Sequence, residues 1–444
     1  MFLFYTKNKI QCTLRHRKTQ RKTWGLTMNN AYGRATPTEN ITLTHVEQGS
    51  PMGEVMRRFW QPIAVSDELT DLPKLVKILC EELVLFRTKE GKVGCVDPHC
   101  SHRGASLEFG RIEEKGIRCC YHGWVYDTTG KCIEMPCEPS GVCERMNVYQ
   151  PAYPTMEYGG LVFVYMGPPG TEPLFPMYDV IDTRGRDDVV LKGMKIWGDY
   201  SIGYVRDCNW LQHYENVVDP WHLLILHQMI SGDQFVGAMM DGTAPGIDFI
   251  KTPLGISYHF TRSLPNGNRM VRFGQTVVPN IFLVPNLHES GANPKRQDKP
   301  SECSWAVPID NEHVTAFSIV AWPLENGKPK KDWRPRTDTA IPIRPGSNSL
   351  LTRSYEDRQR RPDDLEAQEG QRTIAVHALE KLATSDKGIV LLRRMLSEQV
   401  KAVQKGKDPR NVVRDEKLNH AIPTHAWNTI LSAEEAAQYA GEVV

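Results

Sequence analysis

Two cysteines and two histidines stand in a pattern that suits an iron–sulfur cluster. Residues 100–124 read CSHRGASLEFGRIEEKGIRCCYHGW, in which Cys100 and His102 form C-x-H and Cys119 and His122 form C-x-x-H. Each short segment supplies one thiolate and one imidazole. This set fits a [2Fe–2S] cluster in which two cysteines hold one iron and two histidines hold the other.

A structural zinc site is the alternative for these four residues. Zinc fingers usually take both cysteines from one turn and both histidines from one helix, whereas here each segment contributes one of each. The mixed pairing therefore favours the iron–sulfur cluster. Cys120 stands beside a complete set of four ligands and is interpreted as a buried free thiol.

A second group of residues suits a mononuclear metal. Residues 215–227 read ENVVDPWHLLILH, so that His222 and His227 follow Asp219. Two histidines and a distant carboxylate form the facial triad that leaves positions on iron(II) open. On an ideal helix the two histidines would lie about 140° apart, so they converge only if the helix is distorted or ends between them. The alternative is a pair of hydrogen-bonded helix histidines.

The third ligand is expected to be a carboxylate far downstream. The segment RPDDLEAQEGQ (361–371) opens a predicted helix with Asp363 and Asp364. Acidic residues are also favoured at a helix N-terminus by the dipole, and both roles can coexist.

The sequence around these motifs predicts a β-rich region followed by a region of strands and helices. Short β-rich runs bounded by Gly and Pro extend from 61 to about 170, and SPMGEVMRRFW (50–60) predicts a short amphipathic helix before them. GPPGTEP (167–173) is interpreted as a domain boundary. Strands and then helices are predicted beyond it, at 256–262, 270–278, 281–285, 303–308, 314–322, 364–382 and 388–404.

The composition of the 444 residues is that of a globular protein. The formal net charge of +1 excludes a generally basic nucleic-acid-binding protein, and no apolar run approaches the roughly 18 residues of a membrane span. Eight of the eleven cysteines lie between residues 80 and 143, which indicates a metal site in a reducing compartment rather than a disulfide framework.

The motifs resemble those of the Rieske non-haem iron aromatic-ring oxygenases, in their catalytic α subunit. Within that family the chain looks most like phthalate dioxygenase and the O-demethylases of lignin-derived biaryls. The resemblance runs from about residue 44 to 404. Besides the histidine pair, it rests on PMGEVMRRFWQP (51–62), HRGASLEFGR (102–111), CYHGW (120–124), CNWLQ (208–212) and LATSDKGIVLLRRML (382–396).

This resemblance implies roles for individual residues. It implies a Rieske [2Fe–2S] cluster on the four ligands above and Fe²⁺ on His222, His227 and Asp364, one of each cofactor per subunit. Asp219 matches the family's bridging aspartate, which links a cluster histidine of one subunit to an iron-ligand histidine of its neighbour. Asn216 matches an asparagine often found near the iron, or else is a helix amide with a packing role.

The resemblance also implies an α+β fold. A small all-β Rieske domain is expected beside a larger catalytic domain, in which helices flank an antiparallel sheet in the helix-grip or START-like manner. The expected divisions are a basic extension outside the fold, a helical segment, the Rieske domain and the catalytic domain, at 1–27, 28–58, 59–170 and 171–444.

The implied activity is that of an oxygenase component. Electrons from NAD(P)H would arrive through a separate reductase, with or without a ferredoxin domain, since no G-x-G-x-x-G follows a strand in this chain. The resemblance also implies a homotrimer or a dimer of trimers. The bridging role of Asp219 requires that subunits associate head to tail, and such an interface closes into a ring. Neither a nucleic acid nor a membrane is expected as a partner.

Several readings of the reaction remain open. Hydroxylation or O-demethylation of an aromatic acid competes with cis-dihydroxylation of phthalate type, and both use the same metals. A Rieske electron carrier without oxygenase activity is the alternative from another class, against which the histidine pair and about 270 further residues argue. Candidate pocket residues are Phe235, Met239, Met240 and Phe282, with Arg262, Arg269, Arg272 and His288 for a substrate carboxylate.

The N-terminal segment differs in charge from the rest of the chain. Residues 1–27 contain seven basic residues and no acid, which leaves 47 basic against 53 acidic residues, or −6, in the remainder. We interpret the segment as the product of an upstream start codon, with a transit peptide as the alternative. The remaining acidic chain is expected to be cytoplasmic.

Overall fold

The computed structural model describes residues 37–196, 205–232, 246–285, 292–331, 333 and 353–439. The chain forms two compact units, Met1–Glu39 and Asn40–Val444, and every described helix and strand belongs to the second. Among the described helices, none is long and apolar enough to cross a bilayer.

The second unit begins with two short helices, α1 (Ile41–Thr44) and α2 (Pro51–Met56). The Ser50 side chain accepts a hydrogen bond from the Gly53 N–H and caps α2, whose proline occupies the first turn where no N–H is needed. Met52, Val55 and Met56 are fully buried, so the predicted amphipathic helix is confirmed.

Eleven short strands follow and form three small antiparallel sheets. The sheets have the orders β1-β11-β10, β2-β3-β4-β9 and β5-β6-β7-β8. The strands are β1 (Trp60–Val65), β2 (Lys74–Ile78), β3 (Glu81–Arg87), β4 (Val93–Val96), β5 (Arg111–Ile112), β6 (Gly116–Arg118), β7 (Val125–Asp127), β8 (Cys132–Glu134), β9 (Ala152–Tyr153), β10 (Thr155–Tyr158) and β11 (Leu161–Tyr165).

A ten-stranded antiparallel sheet occupies the later part of the chain. Its main path runs β12-β19-β18-β16-β15-β14-β13, while β21 pairs with β15 and β17 and β20 pairs with β19. The strands are β12 (Val189–Lys195), β13 (Gly246–Lys251), β14 (Gly255–Ser263), β15 (Arg269–Val277), β16 (Ile281–Leu283), β17 (Lys295–Asp298), β18 (Glu302–Pro308), β19 (Val314–Glu325), β20 (Lys328–Pro329) and β21 (Trp427–Leu431).

Helices lie against this sheet and complete the predicted α+β class, which the structure confirms. The long helix α8 (Lys387–Gln404) buries Leu392, Met395, Leu396 and Val400 along one face. The other helices after α2 are α3 (Val142–Met146), α4 (Trp210–Asn216), α5 (Trp221–Leu224), α6 (Tyr355–Arg360), α7 (Asp364–Glu369) and α9 (Ala433–Tyr439).

One hydrophobic core joins the first strands to the large sheet. Phe163 on β11 and Trp305 on β18 lie with their ring centroids 5.5 Å apart, and both are almost completely buried. A second core lies between the β5–β8 sheet, with Ile117 and Tyr126, and strands β3 and β4, with Phe86 and Val96. The division predicted near residue 170 remains a prediction.

The sequence patterns located the strands well and one helix poorly. Each strand predicted between 256 and 322 is present with shifted ends. The helix predicted over 364–382 is wrong beyond Glu369, because Arg372 has a φ of +84° and the helix cannot continue through it.

Candidate metal centres

The two loops that carry the predicted cluster ligands share one backbone arrangement. In each loop the cysteine N–H donates to the carbonyl five residues later, over 3.0 Å for Cys100 and 2.8 Å for Cys119. The glycine four residues after each cysteine, Gly104 or Gly123, donates back to the cysteine carbonyl over 2.7 and 3.0 Å. Both glycines have φ near +75°, a conformation that glycine adopts without strain.

These loops bring two thiols and two imidazoles together. Cys100 and Cys119 are each only 3% exposed, while the ring centroids of His102 and His122 lie 4.5 Å apart and are partly accessible. Burial raises the pKa of the Cys119 thiol, and the neighbouring Cys100 raises it further. Iron would therefore have to supply the stabilisation of the thiolates. The paired donor set fits a [2Fe–2S] cluster.

Two aromatic residues support the cluster ligands and were not predicted. The Tyr126 hydroxyl lies 3.1 Å from the Cys100 sulfur, within hydrogen-bonding distance. The Trp124 ring stacks on His102, with centroids 4.5 Å apart and planes at 4°. Their closeness in sequence to the C-x-x-H segment was the available signal. The prediction of a buried Cys120 is wrong, since the loop turns its side chain outward while Cys119 faces inward.

The histidine pair lies where an α-helix changes into a π-helix. His222 is in α5, and His227 is in the π-helical segment Ile225–Ile230 that follows it directly. Ser231 N–H donates to the carbonyl of Leu226, five residues earlier, over 3.1 Å. Because i to i+5 bonding stacks residues five apart, it brings the two histidines to one side of the helix. The predicted helix distortion is confirmed.

His222, His227 and Asp364 converge in the structure. Their candidate ligand atoms lie within 4.8 Å of one another, and Asp364 Oδ1 is 3.6 Å from His222 Nε2 and 3.3 Å from His227 Nε2. Two ligands held at right angles by bonds of about 2.1 Å would lie about 3.0 Å apart. Two imidazoles and one carboxylate at these separations fit a divalent iron with open positions.

Asp364 is held at the start of α7 by local capping. The Asp363 side chain accepts from the Asp364 N–H over 2.7 Å, and the Glu366 side chain accepts from the Asp363 N–H over 2.7 Å. Burial alone would raise the pKa of Asp364, but the facing His227 and then His222 hold this pKa far below its ordinary value. Metal binding likewise requires an ionised carboxylate.

Asn216 and Asp219 both lie beside the triad. The Asn216 amide nitrogen donates to Asp364 Oδ1 over 3.2 Å and lies 3.4 Å from His222 Nε2. The Asp219 carbonyl accepts from His222 Nδ1, which leaves Nε2 without a proton and able to bind a metal. The Asp219 carboxylate lies 3.9 Å from the same Nδ1, and burial raises its pKa.

The candidate pocket residues separate into three groups. Arg262, Arg272 and Phe282 are nearly fully buried, and the strand register places both arginines on one face of β14 and β15. The ring of His213, on α4, lies 5.7 Å from that of Phe282. Arg269 lies on the opposite face of the sheet from Arg262 and Arg272. Four further candidates lie outside the described residues: Phe235, Met239, Met240 and His288.

Comparisons with known proteins match the Rieske domain and the overall fold. The family model described as the Rieske [2Fe–2S] domain matches residues 59–154, which include all four predicted cluster ligands. The structure of NdmB from Pseudomonas putida CBB5 superposes with a TM-score of 0.55 at 20% identity, covering 81% of this chain and 96% of that one. This likeness shows the fold.

Three curated relatives cover most of this chain. Phenoxybenzoate dioxygenase subunit alpha of Ectopseudomonas oleovorans is 39% identical over 83% of this chain and 87% of its own length. The oxygenase subunit of tert-butanol monooxygenase / tert-amyl alcohol desaturase from Aquincola tertiaricarbonis is 38% identical over 84% and 78%. The oxygenase subunit of 5,5'-dehydrodivanillate O-demethylase from a Sphingobium species is 31% identical over 87% and 85%.

These relatives confirm the predicted likeness to biaryl O-demethylases and the predicted cofactors, a [2Fe–2S] cluster and a mononuclear iron. Two of them are named as oxygenase subunits and the third as the alpha subunit of a dioxygenase. The chain therefore belongs to the Rieske non-haem iron oxygenases, as the oxygenase component.

Proposed function

We propose that the chain hydroxylates or O-demethylates an aromatic acid at an iron held by His222, His227 and Asp364, with electrons delivered through Cys100, His102, Cys119 and His122. The observation that carries this proposal is the convergence of the three iron-ligand candidates within 4.8 Å. A separate reductase, with or without a ferredoxin domain, supplies the electrons from NAD(P)H.

The relatives and two buried arginines support an aromatic acid as substrate. Phenoxybenzoate and dehydrodivanillate are aromatic carboxylates, whereas tert-butanol is an aliphatic alcohol. Arg262 and Arg272 are 2% and 0% exposed on one face of the sheet. Guanidinium groups are well suited to bind a carboxylate in two-point fashion. These arginines are the preferred carboxylate-binding candidates, ahead of Arg269 on the other face.

Iron, when bound, supplies the activation of O₂. Other groups of the chain orient the residues that would bind this iron. The Asp219 carbonyl fixes the tautomer of His222, and the Asn216 amide donates to the Asp364 carboxylate. In O-demethylation, one oxygen atom of O₂ enters the methoxy methyl group and the other leaves as water. The hemiacetal then collapses to a phenol and formaldehyde, with NAD(P)H as the two-electron donor.

A head-to-tail homotrimer, or a dimer of trimers, is part of the proposal. Large hydrophobic side chains are exposed beside both centres. They are Phe109, Tyr121 and Tyr149 near the cluster and Ile225, Met229 and Ile230 in the π-helical segment. Exposed apolar groups of this size favour contact with another protein surface. In such a ring Asp219 would connect a cluster histidine of one copy to His222 of the next. We further propose a cytoplasmic location.

Formaldehyde release distinguishes the reactions. Methoxylated aromatic acids would be supplied with O₂, NADH and a reductase, and formaldehyde would be measured against O₂ consumed. The proposal predicts about one formaldehyde per O₂, and hydroxylated product from acids without a methoxy group. A cis-diol without formaldehyde would instead establish the phthalate-type dioxygenase reading.

A second measurement tests whether the chain is only an electron carrier without oxygenase activity. We expect His222→Ala to abolish substrate-dependent O₂ consumption, by at least about 10³-fold, because the metal contributes several kcal/mol to the reaction. The visible spectrum of the cluster should persist, since its ligands lie on other elements. His313→Ala, at a partly exposed histidine on a turn, is the matched control. Wild-type protein that transfers electrons without consuming O₂ would support the carrier reading.

A further inference from the structure

The helix that presents Asp364 is short and depends on its neighbours. Helix α7 spans only Asp364–Glu369, and isolated helices of this length are unstable in water. Gln368 lies one turn after Asp364 on the same side of α7 and is 1% exposed. A buried amide at this place is a candidate for fixing the helix.

Gln368 is bonded through both its side chain and its backbone. Its side-chain oxygen accepts from the Arg206 guanidinium and lies 3.1 Å from His213 Nδ1. The side-chain amide of Gln212 donates to the Gln368 carbonyl over 2.9 Å and to the Arg372 carbonyl over 2.8 Å. The Gln368 carbonyl also accepts from the Gln371 N–H over 3.2 Å, so the Gln212 amide adds a second bond at the end of α7 and ties that end to α4.

Helices α4 and α7 are therefore connected at two levels. Gln212 and His213 on α4 contact Gln368, and one turn further along α4 the Asn216 amide contacts Asp364. The two helices run antiparallel at this contact. Any displacement of α7 along or away from α4 would move the Asp364 carboxylate relative to both histidines.

The alternative is that Gln368 is an ordinary packing residue. Against it, two donors from separate positions, the Arg206 guanidinium and the His213 imidazole, share a single acceptor oxygen. Both donor side chains are about 3% exposed. An apolar residue of the same size would take away the oxygen that accepts from Arg206 and His213. The loss of these buried hydrogen bonds would weaken the attachment of α7 to α4.

We propose that Gln368 is a positioning residue for the Asp364 carboxylate, acting by fixing α7 against α4. This inference rests on the proposed iron site. Gln368 does not touch the reacting atoms. It acts on them only by fixing the position of the Asp364 carboxylate.

The test is the affinity of the site for Fe(II) alone. Chelator-treated protein with an intact cluster would be titrated anaerobically with Fe(II). Gln368→Met removes the acceptor at similar size, and we expect affinity to fall about 10–100-fold, as for other residues that orient metal ligands. Gln368→Glu retains an acceptor for Arg206 and His213 and should recover most of that affinity.

A matched control separates positioning from general loss of stability. Gln399 is equally buried on α8, where its amide donates to the Met395 carbonyl and its oxygen accepts from the Arg410 N–H. Gln399→Met should lower the thermal unfolding temperature while leaving Fe(II) affinity unchanged. An equal loss of affinity in this variant would overturn the proposal.

Two further outcomes would overturn it. Unchanged affinity in Gln368→Met would show that α7 keeps its place without the amide, and equal weakness of Gln368→Glu would show that the shared acceptor is not the cause. Asp364→Ala identifies which idea has failed. If Fe(II) binding does not depend on Asp364, the proposed site fails and this inference with it; if binding depends on Asp364 and not on Gln368, the inference alone fails.

Discussion

The two metal centres of this chain are built in different ways. The cluster ligands fall within 23 residues, on two loops that each close through their own backbone hydrogen bonds. The iron-ligand candidates come from α5, a π-helical segment and α7, and the distance along the chain from His222 to Asp364 is much longer. The first centre is encoded locally, whereas the second depends on how helices pack. Four changes test this difference.

The largest effect is expected from one alanine inserted between Ile225 and Leu226. The insertion places the histidines six residues apart, one residue beyond the five-residue repeat of the π-helical segment, and so turns His227 away from His222 by roughly the 100° that one helical residue spans. We expect Fe(II) affinity to fall more than about 100-fold, as measured by anaerobic titration. The cluster spectrum serves as the internal control. Retained iron binding would mean that the π-helical segment can change its hydrogen-bonding pattern to accommodate the extra residue.

A smaller effect is expected from Asp219→Asn. The variant keeps the carbonyl that orients His222 but loses the carboxylate that lies 3.9 Å from Nδ1. Both metals should bind, while single-turnover reoxidation of the reduced cluster slows about 10–100-fold. Asp187→Asn, at an exposed surface carboxylate, is the control. Reoxidation at the wild-type rate would remove Asp219 from the connection between the centres.

A modest change is expected from Tyr126→Phe, which removes the hydroxyl 3.1 Å from the Cys100 sulfur. A hydrogen bond to a cluster sulfur stabilises the reduced, more negative form. A net bond energy of about 1 kcal/mol corresponds to a fall of about 40 mV in reduction potential. Spectroscopic redox titration measures it. A potential that stays the same would show that this hydroxyl does not donate to the sulfur.

The smallest effect is expected from a glycine inserted after Lys115. This position lies in the exposed turn between β5 and β6, and the insertion lengthens the spacing between the two cluster loops. Because each loop closes through its own hydrogen bonds, the visible spectrum and potential of the cluster should not change. Loss of the cluster would mean that the spacing itself, and not the loop geometry, holds the ligands together.

The sequence alone located much of the molecule. Strand-like runs of residues identified the strands between 256 and 322, and most residues of these strands are buried on both faces. The helix beginning at Asp364 was also located, but its end was not. Arg372 adopts a left-handed conformation that arginine does not favour, so its residue type did not predict it. The Gln212 side chain donates hydrogen bonds to the Gln368 and Arg372 carbonyls at this helix end.

The predicted cluster ligands and the histidine pair could therefore be proposed from the sequence itself, since their types and short spacing reflect local geometry. Asp364 could be preferred over Asp363 only through resemblance to a family, because residues far apart along the chain carry no spacing signal. The tertiary structure decided the rest. It placed Asp364 Oδ1 between the two histidines and enclosed Gln368 between α4 and α7. Those contacts exist only after distant segments have packed, and for that physical reason the sequence does not display them.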